Sequence, residues 1–308
     1  MPHEIDQALP KGTILKQRYV ITRTVALSDV SIVYLGRDEV TRERIAVKEF
    51  YPGALVLRDL DSCTVAVRRP SDRIKYRDWL ADFFREGRLL RLLRHPNIVP
   101  YRDHFSENGT GYLVTAYCRG RTLKKLMALA KWRESPEFME RLMPELLETI
   151  QFIHQKGYIH GDLKPGNVII GRDGRPVLID FGSAHFYRTA AEHRIMTTPG
   201  FSALELHSKT SVLGPWTDIY SLAAILYSYF AGEAPLDVSQ RLIEDGLVPV
   251  RSRCPEMSRW LSAAVMRGLA VEPARRLRRL ALLQAAVELE RRHQKRKRSL
   301  AAASPKKE

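Results

Sequence analysis

Four side chains in one short stretch could hold a metal or move a proton. Between Tyr158 and Ala184 the sequence YIHGDLKPGNVIIGRDGRPVLIDFGSA carries Asp162, Lys164, Asn167 and Asp180. NVII and PVLI are short apolar runs, and GRDGR between them reads as a turn. The pair is expected to form a hairpin. In antiparallel pairing the start of one strand lies beside the end of the next. Asn167 opens the first strand and Asp180 follows the second, so both reach one open end, a short loop away from Asp162. Two oxygen ligands beside a third carboxylate suit a hard cation such as Mg2+ with bound phosphates.

Two further charges stand where solvent would not balance them. In ERIAVKEF, alternation sets Ala46, Lys48 and Phe50 on one strand face and Ile45 and Val47 on the other. A lysine beside Ala46 on an inner face needs an anionic partner. Trp79, Phe83, Leu90 and Leu93 form a stripe on a helix expected over roughly Trp79 to Arg94. Glu86 falls on that stripe, a lone carboxylate among apolar residues, and each charge can satisfy the other.

The elements that must position these groups fall into two sets. RYVITRTVAL, SIVYLGRDEV and RIAVKEF are β-branched runs separated by polar turns. A polar, Arg/Asp-rich stretch from Arg58 to Arg77 reads as a loop or insertion with little structure of its own. After the helix, two more strands are expected near YRDHFSE and GYLVTAYC. From Thr122 onward the pattern is mostly helical, and Gly157 stops a helix that carries Met139, Leu142, Leu146, Ile150 and Ile153.

The chain has 308 residues and a formal net charge of +15. Arg291 to Glu308 holds eight Lys/Arg and one Glu, so +7 of the excess belongs to that tail. It reads as disordered and basic, suited to an acidic partner, nucleic acid or lipid. Three cysteines, Cys63, Cys118 and Cys254, form no CxxC pair, which argues against a disulfide framework and fits a reducing cytosol. The N-terminus lacks a basic start followed by an apolar run, and the most apolar segment, SLAAILYSYFAG, is too short to span a bilayer. A cytoplasmic protein without a transmembrane segment is expected.

IAVKEF, HGDLKPGN and IDFGSA, in that order, resemble the eukaryotic-like (Hanks-type) serine/threonine protein kinases, and VKEFYP looks most like their bacterial members. RHPNIVPY, GYLVTAY, TTPGFSALE and TDIYSLAAILY extend the likeness from roughly Tyr19 to Glu288. The resemblance implies an α+β fold of two lobes: a five-stranded antiparallel sheet plus one helix over 1–117, and a mainly helical lobe over 118–290. It implies ATP and Mg2+, or Mn2+ in its place, as cofactors, and a protein substrate. Lys48 would contact the α- and β-phosphates and pair with Glu86. Asp162 would orient the substrate hydroxyl and accept its proton, and Lys164 would neutralise the transferred group. Asn167 and Asp180 would ligate the metal. Val25, Val33, Ala46 and Ile169 would enclose the adenine, backbone groups near Ala116 and Cys118 would hydrogen-bond it, and Thr115 would be the gatekeeper. Glu205 would pair with Arg276, and Thr198 and Lys164 mark Ser/Thr specificity.

The sequence departs from that pattern twice. In ALSDVSIV, Ala26, Ser28 and Ser31 stand where the family's phosphate loop has three glycines, whose freedom allows close backbone approach. Gly161 stands where many members carry an arginine that pairs with a phosphorylated activation loop, so control by that route is not expected. The resemblance implies a serine/threonine kinase that also phosphorylates itself. A pseudokinase that binds nucleotide or partners with weak catalysis is the alternative. An aminoglycoside-type small-molecule phosphotransferase shares HGD but would not carry TTPGFSALE followed by TDIYSLA.

Overall fold

The computed structural model describes residues 7–129, 132, 135–189 and 194–303, with side chains described to Leu300. The chain divides into two compact units, Met1–Cys118 and Arg119–Glu308.

The first unit is built on one antiparallel sheet. Its strands are β1 (Ile14–Leu15), β2 (Tyr19–Leu27), β3 (Ser31–Asp38), β4 (Arg44–Phe50), β7 (Tyr101–Glu107) and β8 (Thr110–Ala116). The spatial order is β1-β2-β3-β4-β8-β7. Six strands therefore replace the five expected. The extra one arises because Lys16 and Gln17 both adopt left-handed φ angles (49° and 52°), which folds Ile14 and Leu15 back onto Val20 and Tyr19. Such a turn usually announces itself with glycine or asparagine, and here it does not.

The polar stretch from Arg58 onward is also more ordered than expected. Strands β5 (Val56–Arg58) and β6 (Val65–Val67) form a hairpin, and helix α1 starts at Arg73 and ends at Leu92. Arg58 explains the order. Its guanidinium makes paired hydrogen bonds of 2.7 and 2.8 Å with the Glu49 carboxylate and also donates to the carbonyls of Cys63 and Gln7. Glu49 is fully buried and accepts further bonds from the hydroxyls of Tyr34 and Tyr112. A buried carboxylate met by four donors tolerates burial that an isolated one would not.

The second unit is mainly helical. It opens with β9 (Gly120–Thr122) and α2 (Leu123–Met127), where the Thr122 hydroxyl caps the helix by accepting from the Lys125 amide. A π-helical turn (Phe138–Leu142) leads into α3 (Met143–Gln155), and Gly157, at φ +85°, ends that run. Strand β10 (Tyr158–Ile159) pairs with β13 (His185–Phe186). Strands β11 (Val168–Gly171) and β12 (Pro176–Leu178) form the central hairpin, with β9 on its outer side. Helix α4 (Pro215–Ala231) is buried along nearly its whole length. Short helices α5 (Val238–Ile243) and α6 (Val250–Arg253) precede α7 (Arg259–Gly268) and α8 (Leu280–Ala303).

Helix α8 corrects the expectation of a disordered tail, since it runs through Arg291 to Ala303; residues 304–308 lie outside the described residues. The basic side chains find acidic partners: Arg291 and Arg292 meet Glu288, Lys297 meets Glu256 at 2.7 Å, and Arg298 meets Glu140. Composition suggested a solvated charge run, but Glu256 and Glu140, which meet Lys297 and Arg298, come from distant parts of the chain.

Candidate active site

The strand register of the first unit sets one face of its sheet. Val33 lies opposite Lys48, which lies opposite Leu113, and Leu35 lies opposite Ala46, which lies opposite Thr115. Directly opposed residues share a face, so Val33, Ala46, Lys48 and Thr115 are presented together. Ala26 pairs with Val33, and Val25 sits in a register shift between Thr24 and Ala26. Lys48 Nζ contacts both oxygens of Glu86 at 2.9 and 3.2 Å, with the carboxylate nearly fully buried. Each of these charges relieves the other's desolvation. Ala116, at the end of β8, donates its N–H to the Pro100 carbonyl, and burial pushes the Cys118 thiol up to about 11.

The loop that lacks glycine is closed by its own serines. The Ser31 amide donates to Ser28 Oγ (3.1 Å), Ser28 Oγ donates to the Ser31 carbonyl (3.0 Å), and the Ser28 amide donates to that same carbonyl (2.9 Å). The tip is fastened to the chain after β4: the Tyr51 amide donates to the Val30 carbonyl and the Gly53 amide to that of Asp29. Side-chain-to-backbone bonds of this kind hold a tight turn without glycine.

In the second unit the hairpin β11–β12 gathers the opening residues. The Ile179 amide donates to the Asn167 carbonyl (2.9 Å), which sets Asp180 next to Asn167 at the hairpin's open end. The Asn167 amide nitrogen donates to Asp162 Oδ2 and to the Asp162 carbonyl, each at 2.9 Å, so its side-chain oxygen is turned away from Asp162. Asp180 holds a left-handed φ of 62°, a conformation that costs a residue with a β-carbon about 1 kcal/mol or more. Ile169 is on β11, paired with Val177 and Thr122.

Asp162 is the centre of a small polar network. Lys164 Nζ lies 2.7 Å from Asp162 Oδ2 and 3.0 Å from Thr198 Oγ1, and Thr198 Oγ1 donates to Asp162 Oδ1 at 3.0 Å. The backbone before Asp162 is held from beneath. The amides of His160 and Gly161 donate to the two oxygens of Asp218, at 2.9 and 3.0 Å, and His154 Nε2 bonds the same carboxylate at 2.8 Å. Burial alone would raise the pKa of Asp218, but these donors hold it below the usual carboxylate value. Burial lowers the pKa of His160, keeping its ring neutral inside the core. Behind Thr198, Glu205 and the fully buried Arg276 make a bidentate pair at 2.7 and 2.9 Å.

The Mg2+ expectation can be set against this donor set. Among the described residues no group of three or more His, Cys, Asp or Glu is placed to hold a metal. A carboxylate (Asp180) and an amide oxygen (Asn167) make a two-ligand, all-oxygen set, which fits Mg2+ because that ion keeps waters and takes phosphate oxygens for its remaining positions. Sequence reasoning missed Asp218, Asp237 and the Glu49–Arg58 cluster. Glu49 had a signal: it follows Lys48, so it must face the opposite, apolar side of the sheet.

A strand-rich unit with a buried Lys–Glu pair, and a helical unit with an Asp/Lys/Thr network beside an Asn–Asp hairpin, are the features of the protein kinase class. The comparisons agree. The protein kinase domain family matches residues 54–283, and the chain belongs to that family. The chain is 28% identical over 303 residues to the serine/threonine-protein kinase PknD of Chlamydia pneumoniae, covering 84% of this chain and 30% of that protein. It is 28% identical over 229 residues to CBL-interacting protein kinase 5 of Oryza sativa subsp. japonica, covering 73% of this chain and 45% of that protein. The solved structure described as "PpkA-294 apo form" superposes with a TM-score of 0.77 at 32% identity, covering 91% of this chain and 99% of that one. The chain thus spans about a third of the length of its chlamydial relative and nearly all of the solved PpkA-294 chain.

Proposed function

We propose that the chain is an active serine/threonine protein kinase that transfers the γ-phosphoryl of ATP to hydroxyls of a protein substrate. The observation that carries this reading is the Asp162–Lys164–Thr198 network, in which a carboxylate, an ammonium and a hydroxyl meet within 3.0 Å. Asp162 is the proton acceptor for the substrate hydroxyl. Lys164 neutralises charge spread over the transferred group, and Thr198 holds both in register. Lys48, fixed by Glu86, is the cation for the nucleotide phosphates. Asn167 and Asp180 would hold Mg2+, which supplies charge neutralisation when bound. Catalysis of this kind rests on positioning and electrostatics rather than on covalent chemistry by the protein. On the first unit Val25, Val33, Ala46 and Thr115 would face the adenine, with Ala116 and Cys118 supplying backbone groups; Ile169 is the second unit's candidate for the same role.

The glycine-free loop does not by itself favour a pseudokinase, because Ser28 and Ser31 close the turn that glycine would otherwise allow. No helix among the described residues is long and apolar enough to cross a membrane, and the three cysteines are free, which supports a reducing compartment such as the cytoplasm. The test is phosphoamino-acid analysis of a generic basic protein, and of the chain itself, after incubation with γ-labelled ATP and Mg2+. Phosphoserine or phosphothreonine is expected. Label on tyrosine, or on added aminoglycoside alone, contradicts the reading.

A further inference from the structure

Helix α4 carries more of the site than the Asp218 carboxylate. Near its start, Asp218 holds the His160 and Gly161 amides and so fixes the loop that bears Asp162. One turn later, Ser221 Oγ donates to the Phe201 carbonyl at 2.8 Å. The helix ends at Gly232, whose left-handed φ of 84° turns the chain back on itself. That return places Asp237 Oδ2 3.1 Å from the Gly200 amide, which donates to it. Oδ1 of the same carboxylate accepts from the Ser239 amide and caps helix α5. Gly200 has φ +78°, and a β-carbon there would lie 2.7 Å from the Pro235 carbonyl. The loop from Thr198 to Ser202 is closed internally by the Thr198 amide, which donates to Ser202 Oγ at 2.7 Å.

Both loops that meet at Asp162 and Thr198 are therefore referenced to one rigid helix. A cavity of about 550 Å³ opens beside them, lined by Met127, Lys164, Thr198, Phe201, Glu233 and Ala234. Phe201 and Ala234 stand on the two segments that the Asp237–Gly200 bond joins.

We propose that Asp237 is a positioning residue for protein substrate: by holding the Gly200 amide it sets the cavity wall and keeps Thr198 in register with Asp162. The role rests on the kinase reading. It acts on the substrate side, since among the described residues its carboxylate hydrogen-bonds Gly200 and Ser239, both outside the nucleotide-phosphate groups Lys48 and Glu86.

Asp237→Ser retains an N-cap for α5 but is too short to reach Gly200. It is expected to raise KM for protein substrate about tenfold, the effect of one charge-assisted hydrogen bond, and to leave KM for ATP unchanged. Hydrogen exchange of the Gly200 amide should quicken. Ser239→Ala, which keeps the Gly200 bond, should match the parent in all three. An unchanged substrate KM, equal rises in both KM values, or an unmoved Gly200 exchange rate would each overturn the role. A parent that transfers no phosphate contradicts the kinase reading and this role with it. A parent that transfers phosphate at the same substrate KM as Asp237→Ser contradicts Asp237 alone.

Discussion

Lys48 Nζ lies 2.9 Å from Glu86 Oε2, so the centre of strand β4 is tied to the middle of helix α1. The contact is part-buried, where solvent screens it less than a surface pair. Glu86→Gln keeps the shape and removes the charge. It is expected to lower kcat/KM for phosphoryl transfer by about a hundredfold, in the range of a lost electrostatic contact at a phosphoryl site. The fold should persist, as read by circular dichroism. Parent-like kcat/KM would show that the pair is structural only.

Glu205 and Arg276 present the opposite case, a buried pair away from the reacting groups. Arg276 also donates to the carbonyls of Ala270 and Val271, and its guanidinium lies over the Tyr220 ring at 4.9 Å. Arg276→Ala strands the Glu205 carboxylate in the core and should cost about 3–5 kcal/mol of unfolding free energy. Urea denaturation measures it, and a loss below about 1 kcal/mol would contradict the packing described.

Gly161 cannot take a side chain without movement. Its φ is +74°, and an added β-carbon would meet the Ser183 carbonyl at 2.6 Å. Gly161→Arg should therefore destabilise the chain by about 1–3 kcal/mol and lower activity, without creating dependence on activation-loop phosphate. Thr189 lies between Asp180 and Thr198, in the segment where an activating phosphate would sit, and Thr189→Ala should retain most activity. A collapse of activity in Thr189→Ala would show that loop phosphorylation controls this chain after all.

Cys118 should be chemically quiet. Burial raises its thiol to about 11, so at pH 8 its thiolate fraction is about a hundredfold below that of an ordinary thiol near 9. Because the folded pKa is raised, the neutral thiol is the form the fold favours. That preference is present at neutral pH and fades as pH climbs past the ordinary thiol value. Mass spectrometry after iodoacetamide treatment should find Cys118 unmodified at pH 8 and labelled progressively nearer pH 11. Rapid labelling at pH 8 would contradict the burial.

Much of the site was legible because its logic is local. Alternation put Lys48 on an inner face, helical spacing put Glu86 on an apolar stripe, and two turn-separated runs predicted the hairpin that seats Asp180 beside Asn167. What escaped depends on partners that no local periodicity brings together. Arg58 and Glu49 need the β5–β6 hairpin to meet, and Asp237 reaches Gly200 across 37 positions. The helical continuation past Arg291 was hidden for the same reason, since Glu256 and Glu140 that neutralise it lie in other elements. Strand β1 was missed because residues with side chains make its turn.

The most direct measurement is the initial rate of label transfer from γ-labelled ATP with Mg2+ to a basic protein, by the parent, Asp162→Ala and Lys48→Met. The parent should transfer label, and each variant should fall by about a thousandfold, as expected when a proton acceptor or a phosphate-binding cation is lost. Transfer by Asp162→Ala at the parent's rate, or none by the parent in Mg2+ or Mn2+, would contradict the assignment of this chain as an active kinase.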